Sequence, residues 1–239
     1  MKQLRIMTFN IQHCMNFITR RIDYPLFAET IAKSGADIVG LNEVRGQSET
    51  DGYDAQAQIL AENAGYKYFC FAKAIEFGGR DPYGNAVLSK YPIISAETVM
   101  IPDPSPRRYH GYYETRCAAK LRIDTGDGEL TVISVHFGLN RDEHENARDT
   151  VLSAITGRRC VLMGDMNVTP ASPILSPIRE RMTDTADSLS EGRNTFPSNF
   201  PRKKIDYIFV SPDVKVKDAR VPKLIVSDHR PVVADLELN

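Results

Sequence analysis

The sequence predicts an α/β sandwich: two sheets packed face to face, with helices on the outside. Three observations carry that prediction. Residues 130–137 alternate into one face of Leu130, Val132, Ser134 and His136 and another of Thr131, Ile133, Val135 and Phe137, both largely apolar. A strand of this kind must be covered on both sides, by a second sheet and by helices. Helical stretches are too few to follow every strand, and Asp124-Thr125-Gly126-Asp127-Gly128 reads as a hairpin junction. Both features favour mixed, mainly antiparallel sheets.

Taken in order, strands are expected over residues 3–10, 37–42, 67–72, 85–89, 93–100, 116–123, 129–137, 160–164, 205–210 and 231–238. Helices lie between some of them. Asp23-Tyr24-Pro25 is a helix entry, an acidic N-cap with Pro in the first turn, and Gly35 stops that helix. Residues 54–64 place Ala57, Leu60, Ala61 and Ala64 on one apolar stripe. Residues 141–156 begin acidic and put Ala147, Val151, Leu152 and Ile155 on one face, with Gly157 beyond. No repeat, low-complexity tract or Gly/Ser linker divides the chain, so residues 1–239 are read as one domain.

With 239 residues, 42% of them hydrophobic and 26% charged, the chain can bury a sizeable core without disulfides. A net charge of -1 provides no global attraction to nucleic acid or anionic membrane, although local basic patches survive in a neutral total. Cys14, Cys70, Cys117 and Cys160 are widely spaced and form no CxxC pair. Buried free thiols are expected, not a disulfide framework. The N-terminus enters a strand pattern at once, and no apolar run approaches the roughly 18 residues of a membrane span. The expectation is a cytoplasmic monomer with no integral membrane association.

Polar residues recur at the ends of the apolar strands. Asn10 ends the first strand, and Glu43 ends Asp37-Ile38-Val39-Gly40-Leu41-Asn42-Glu43. His136 closes the strand over 129–137, and Asp165 with Asn167 follows Val161-Leu162-Met163-Gly164. Asp206 lies in Ile205-Asp206-Tyr207-Ile208, and Asp228-His229 precedes Pro231-Val232-Val233. A carboxylate or imidazole against a buried strand is costly unless it is paired, hydrogen-bonded or metal-bound. One such residue is commonly a cap; so many in the same relation to their strands point to a shared site. Mg²⁺ takes oxygen ligands and typically one or two protein carboxylates. Phosphoester hydrolysis needs an activated water, neutralised equatorial oxygens and a stabilised leaving oxygen.

Thr8-Phe9-Asn10, Leu41-Asn42-Glu43-Val44, Tyr83-Gly84-Asn85-Ala86-Val87-Leu88-Ser89 and Ser134-Val135-His136 stand in an informative order. Gly164-Asp165-Met166-Asn167, Ile205-Asp206-Tyr207 and Ser227-Asp228-His229-Arg230-Pro231-Val232 continue it. In these motifs the chain resembles the endonuclease/exonuclease/phosphatase superfamily, the DNase I-like group, over residues 8 to 232. The resemblance implies a four-layer αββα sandwich with the site at one end of its sheets. It implies Glu43 as the main metal ligand with Asn10 and Asp228 nearby, Mg²⁺ as cofactor and Mn²⁺ tolerated. Asp165 and Asn167 would position and activate water. His229, oriented by Asp206, would act at the scissile phosphate, while His136, Asn85 and Arg116 would hold its oxygens. His136 stands where abasic-site endonucleases usually carry Tyr, which favours the DNase, sphingomyelinase and phosphatase branches. Arg45 resembles a DNase I residue at the substrate face but could equally be a solvated surface residue. Tyr83 either lines the pocket or packs.

The expected activity is hydrolysis of a phosphoester, by a phosphodiesterase or phosphatase acting on a small or lipid-derived substrate. The alternative is a DNase I-type nuclease, supported by Arg45 and by Arg202-Lys203-Lys204, a basic run expected at the rim of the site. An inactive binding module is the third reading. Arg107-Arg108-Tyr109 with Tyr112-Tyr113 forms a second candidate substrate loop. His13, His110 and His144 are given no role, and His144 is expected to be exposed on its charged helix.

Overall fold

Alternation along the strands sorts their side chains into three apolar layers. The computed structural model describes residues 2–189 and 192–238. Its elements are β1 (Lys2–Asn10), α1 (Tyr24–Ser34), β2 (Ile38–Arg45), α2 (Gln56–Ala64), β3 (Tyr68–Phe77), β4 (Asp81–Ser89), β5 (Ile93–Met100) and β6 (Cys117–Asp124). They continue with β7 (Glu129–His136), α3 (Arg141–Ala154), β8 (Cys160–Asp165), α4 (Ser176–Arg179), β9 (Thr183–Asp184), β10 (Asp206–Val210), β11 (Val214–Arg220) and β12 (Val232–Leu238).

Two six-stranded sheets form, in the orders β11-β12-β1-β2-β4-β3 and β5-β6-β7-β8-β10-β9. Only β1 with β2 and β7 with β8 run parallel; the other pairs are antiparallel. Leu4, Ile6, Val132, Met163, Ile208 and Leu236 belong to the layer between the sheets. Met7, Phe9, Val39 and Leu41 pack with Phe27 and Ile31 of α1 and Leu60 of α2. Ile133, Val135, Leu162 and Phe209 pack with Ala147 and Val151 of α3 and Ile178 of α4. Residues 130–137 thus divide between two cores, as their alternation predicts. Each fully buried aliphatic side chain contributes roughly 1.5–3 kcal/mol against exposure.

Local signals end the helices where expected, with one exception. The Asp23 carboxylate accepts from Leu26 N (3.1 Å), and Gly35 closes α1 at φ 69°. Asn140 and Glu143 form a capping box on α3. That helix stops at Ala154, short of residue 156, because Ile155 is already extended at ψ 127°. Two strands were not expected. β9 has two residues, and β11 is an edge strand whose alternate Val and Lys residues leave a weak apolar signal. All four cysteines are free; three are buried and Cys70 is half-buried. Among the described residues no helix is long and apolar enough to cross a membrane.

Topology brings the polar strand ends together. The parallel neighbours β1 and β2 finish side by side, with Asn10 opposite Asn42. The parallel neighbours β7 and β8 finish with His136 opposite Asp165. Because β10 runs antiparallel to β8, its first residue, Asp206, faces Asp165.

Candidate active site

Backbone irregularities turn the side chains into the site. In β2 the pairing with β4 shifts register between Leu41 and Val44, a bulge that inserts an extra residue. Val44 takes the helix-side position and is fully buried, while Glu43 adopts φ 59°. That left-handed conformation is uncommon for a residue with a Cβ, and such strain concentrates where function demands it. Below the bulge, a Cβ on Gly40 would stand 2.7 Å from the Met163 side chain, so glycine lets the two sheets approach closely. Gly164, at φ 140°, has Val135 O where its Cβ would be, only 1.8 Å away. Asn167 has φ 52°, and its N–H donates to Asp165 Oδ1 (2.9 Å), which fixes the turn beyond β8.

Asn10 ties the two sheets together. Its Nδ2 donates to Glu43 Oε1 (2.9 Å) and to Asp165 Oδ2 (3.1 Å). Beneath it, Asn42 Nδ2 donates to Asn85 Oδ1 (2.8 Å) and Val135 O (3.0 Å), and Asn42 Oδ1 accepts from Asp165 N (3.0 Å). Asn42 therefore acts as a cross-sheet brace, a role its motif alone did not assign.

His229 Nδ1 donates to Asp206 Oδ2 (2.9 Å), and its Nε2 lies 3.6 Å from Asp165 Oδ2. Burial alone would lower the His229 pKa, but Asp206 and then Asp165 outweigh it and push it up to about 10. Burial, followed by the charge of Asp206, pushes the Asp165 carboxyl up to about 7. Asp228 also rises, chiefly through burial. Burial, Arg116 and His229 hold His136 well below the usual histidine range, so it is neutral.

The ring of His136 is oriented by a second relay. Arg116 Nη1 lies 3.0 Å from His136 Nδ1 and also pairs with Glu114 Oε1. A guanidinium only donates, so Nδ1 accepts and the ring proton sits on Nε2, on the side of Asp165 (3.6 Å). Asn167 Nδ2 lies 3.2 Å from the same Nε2 and donates to Phe137 O (3.0 Å). Glu114 drew no attention in the sequence because it sits in a loop with no periodic pattern.

These groups open into a pocket of about 360 Å³ lined by Glu43, Arg116, His136, Asp165, Asn167 and His229. Tyr112, Leu139, Thr169, Phe196, Lys203 and Ile205 complete its wall. Phe196 also lies against the His229 ring, 4.8 Å between centroids. Leu139, Thr169 and Phe196 come from loops and carried no spacing signal.

Several of the residues singled out in the sequence lie outside the pocket lining. Asn85 is 2% exposed, and both ends of its amide brace the sheets: Nδ2 donates to Cys117 O (2.8 Å) and Oδ1 accepts from Asn42 Nδ2 (2.8 Å). Arg45 donates to Gly52 O (3.1 Å) and lies 4.6 Å over the Tyr53 ring, which uses its guanidinium to order the loop before α2. Tyr83 lies beside Glu43, outside the pocket lining, with its hydroxyl pKa raised mainly by burial. Lys204 is not on the rim: its Nζ is buried, 2.7 Å from Asp184 Oδ2 and 3.4 Å above the Tyr207 ring. His144 is buried, and its Nε2 donates to Gly138 O (2.8 Å). Arg108 N and Tyr113 Oη donate to Asp142, which ties that loop to α3, while Tyr112 reaches the pocket.

The donor set fits a hard divalent cation. Glu43 and Asp228 lie close enough for Glu43 to raise the Asp228 pKa, and Gln12 Nε2 donates to Asp228 Oδ2 (3.2 Å). Gln12 Oε1 is buried and has no hydrogen-bond partner, an oxygen that a cation would satisfy. One oxygen or nitrogen from each of Asp165, Asp206 and His229 also falls within 4.8 Å of the others, but with His229 protonated this group holds a proton and not a metal. In that second group Asp206 Oδ1 is likewise buried and unpartnered.

The profile of the Endonuclease/Exonuclease/phosphatase family matches residues 7–229. The uncharacterized protein YbhP of Escherichia coli K12 is 27% identical over 257 residues, spanning 98% of this chain and 96% of YbhP. An endonuclease/exonuclease/phosphatase structure from Beutenbergia cavernae superposes with a TM-score of 0.82 at 25% identity, covering 100% of this chain and 72% of that one. The mannosyl-6-phosphatase Bt3783 of Bacteroides thetaiotaomicron shares the fold, with a TM-score of 0.76 at 18% identity over 98% of this chain and 100% of its own. With motifs, sandwich and strand-end site all in agreement, the chain belongs to the endonuclease/exonuclease/phosphatase family.

Proposed function

We propose that the protein is a divalent-metal-dependent hydrolase of phosphoester bonds, a phosphodiesterase or phosphatase for a small or lipid-derived substrate. It would work as a cytoplasmic, single-domain monomer. The observation that carries this reading is the convergence of Asp165, Asp206 and His229 within 4.8 Å, with Asp165 and His229 lining one open pocket together with His136, Asn167 and Arg116.

Glu43, with Asn10 and Asp228, would hold Mg²⁺, or Mn²⁺ in its place. When bound, such a cation polarises a phosphoryl oxygen and offsets its developing charge. Asp165, pushed up to about 7, is poised to take a proton from the attacking water, with Asn167 beside it to orient that water. His229 carries its proton at neutral pH, held in place by Asp206, and places it near the scissile phosphate and leaving oxygen. Neutral His136 offers its Nε2–H, and Arg116 its remaining donors, to the equatorial oxygens. The likeness to Bt3783, a mannosyl-6-phosphatase, supports a small substrate; Lys203 on the pocket wall keeps a nuclease as the alternative.

The test is a panel of phosphoesters: bis(4-nitrophenyl) phosphate, sugar phosphates, inositol phosphates, sphingomyelin and DNA, each with Mg²⁺, Mn²⁺ or EDTA. Turnover of at least one small or lipid phosphoester, abolished by EDTA, is expected. DNA as the only substrate would make the protein a nuclease, and no turnover on any would support an inert module.

A further inference from the structure

Next to the site lies a surface that the hydrolysis of a small ester does not need. Three segments meet around residues 226–228. Phe17 N, in the hairpin closed by the Met15–Ile22 bridge, donates to Val226 O (2.8 Å). Ser198 donates through N to Asp228 O (2.7 Å) and through Oγ to Ser227 O (2.6 Å). The segment 221–226 ends at Val226, against the hairpin, and leads directly into Asp228 and His229.

The composition of these segments is one-sided. Residues 12–22, 192–205 and 219–227 contain no Asp or Glu, in a chain with 31 acidic residues. Arg20, Arg21 and Lys223 are exposed, and none of them forms an ion pair among the described residues. Between these cations stand large apolar side chains in water: Ile18 at 74% exposure, Phe200 at 65%, Ile225 at 42% and Leu224 at 37%. A lone exposed aliphatic is ordinary, but apolar tips set among unpaired cations mark an interaction surface.

We propose that the 15–22 hairpin, with segment 221–226 and the Phe200 loop beside it, is a peripheral docking surface for an anionic lipid bilayer. Charge complementarity argues for the occupant: Arg20, Arg21 and Lys223, which have no ion-pair partner among the described residues, match anionic headgroups, and Ile18, Leu224 and Ile225 reach the acyl boundary. Single-stranded nucleic acid, which also takes basic surfaces, is bound by stacking on aromatic faces, and three of the four apolar tips are aliphatic. Docking here holds against the bilayer the segment that runs on into Asp228 and His229. The consequence that the ester is a lipid headgroup phosphoester rests on the proposed hydrolase function; the docking itself does not.

Vesicle flotation of the full chain tests the surface, using pure phosphatidylcholine and phosphatidylcholine with about 30% phosphatidylserine. Wild type is expected to float with the anionic vesicles and not with the neutral ones. Arg20→Ser/Arg21→Ser/Lys223→Ser should weaken the partition about 100-fold. Ile18→Ser/Leu224→Ser/Ile225→Ser should weaken it at least about tenfold and make the remainder fully salt-sensitive. Both variants should keep the wild-type circular dichroism and the wild-type rate on soluble bis(4-nitrophenyl) phosphate, since none of the six residues lines the pocket. The proposal fails if wild type ignores anionic vesicles or if either folded variant floats as wild type does. It also fails if a DNA oligonucleotide binds more tightly than the vesicles and does so independently of the apolar substitutions. Loss of all soluble hydrolysis in wild type would sink the hydrolase reading and leave the vesicle result intact.

Discussion

Two buried carboxylate clusters flank β10, and they are balanced in opposite ways. Around Asp184, two acids meet two cations: Asp184 holds Lys204 Nζ at 2.7 Å and Arg179 Nη2 at 3.2 Å, and Asp187 holds Arg179 Nη1 at 2.8 Å. Burial pushes the Lys204 pKa down, and Asp184 restores part of it, leaving it at about 8. Around Asp165, two adjoining acids share one imidazolium, His229, and Asp206 Oδ1 is left without a partner. The first cluster is closed to chemistry because its charges answer one another. The second keeps unmatched negative charge in a pocket open to water, which suits a cation, a proton transfer and a phosphate. Buried charge alone therefore does not mark a site; buried charge left uncompensated does.

His229 carries the largest expected effect. His229→Ala should lower the turnover number by about two to four orders of magnitude, assayed at equal folded fraction by circular dichroism. A loss below tenfold would place the proton donor elsewhere. Lys204→Met should do the reverse. It should cost about 2–3 kcal/mol of stability in urea titration, less than a fully orphaned charge because Arg179 still reaches Asp184. Its turnover per folded molecule should stay within a few-fold of wild type, and a collapse of activity without destabilisation would contradict the division.

A subtler test sharpens the active cluster itself. Glu114→Gln removes the charge that holds Arg116 against His136 Nδ1. Nitrogen NMR of the His136 ring should report the Nε2–H tautomer in wild type and a mixture in the variant. Turnover should fall about tenfold, the scale of one charge-assisted hydrogen bond. An unchanged tautomer with unchanged rate would make Glu114 a loop residue only.

How much of this was legible in the sequence depends on periodicity. Asn10, His136, Asp165 and Asp206 end or begin strands with strong alternation, so their shared location follows from the strand pattern. The place of Glu43 at a strand end is legible for the same reason, but strict alternation points it toward the helices. Only the bulge and φ 59° send it to Asn10, and a bulge leaves no mark in alternation. The positions of Lys204 and Arg45 are not legible because sequence shows a charge but not the partner that absorbs it, Asp184 in one case and the 46–55 loop in the other. Phe196, Leu139 and Glu114 sit on loops whose course is set by tertiary contacts, such as Leu139 N to Glu143 Oε2 at 3.1 Å. β11 was missed because its Val-Lys alternation is that of an exposed edge.

The smallest expected effect concerns pH. Burial, then the positive charge of Arg45, lowers the His13 pKa to about 4. A histidine kept neutral in the fold stabilises the protein above its unfolded pKa, about 6.5, and that stability is lost as pH falls from there toward 4. His13→Asn suits the φ of 46° at this position and removes the titration. Between pH 6.5 and 4 the variant should lose about 1 kcal/mol less stability than wild type, a figure discounted for partial exposure. Parallel pH–stability curves would remove His13 from the acid response.

Calorimetric titration of Mg²⁺ into wild type, Glu43→Gln and Lys204→Met tests the division between the two clusters most directly. Wild type should bind, Lys204→Met should bind as wild type does, and Glu43→Gln, which keeps the shape of the site but not its charge, should bind at least about tenfold more weakly. Wild-type Mg²⁺ affinity in Glu43→Gln, or no binding in wild type, would contradict the account.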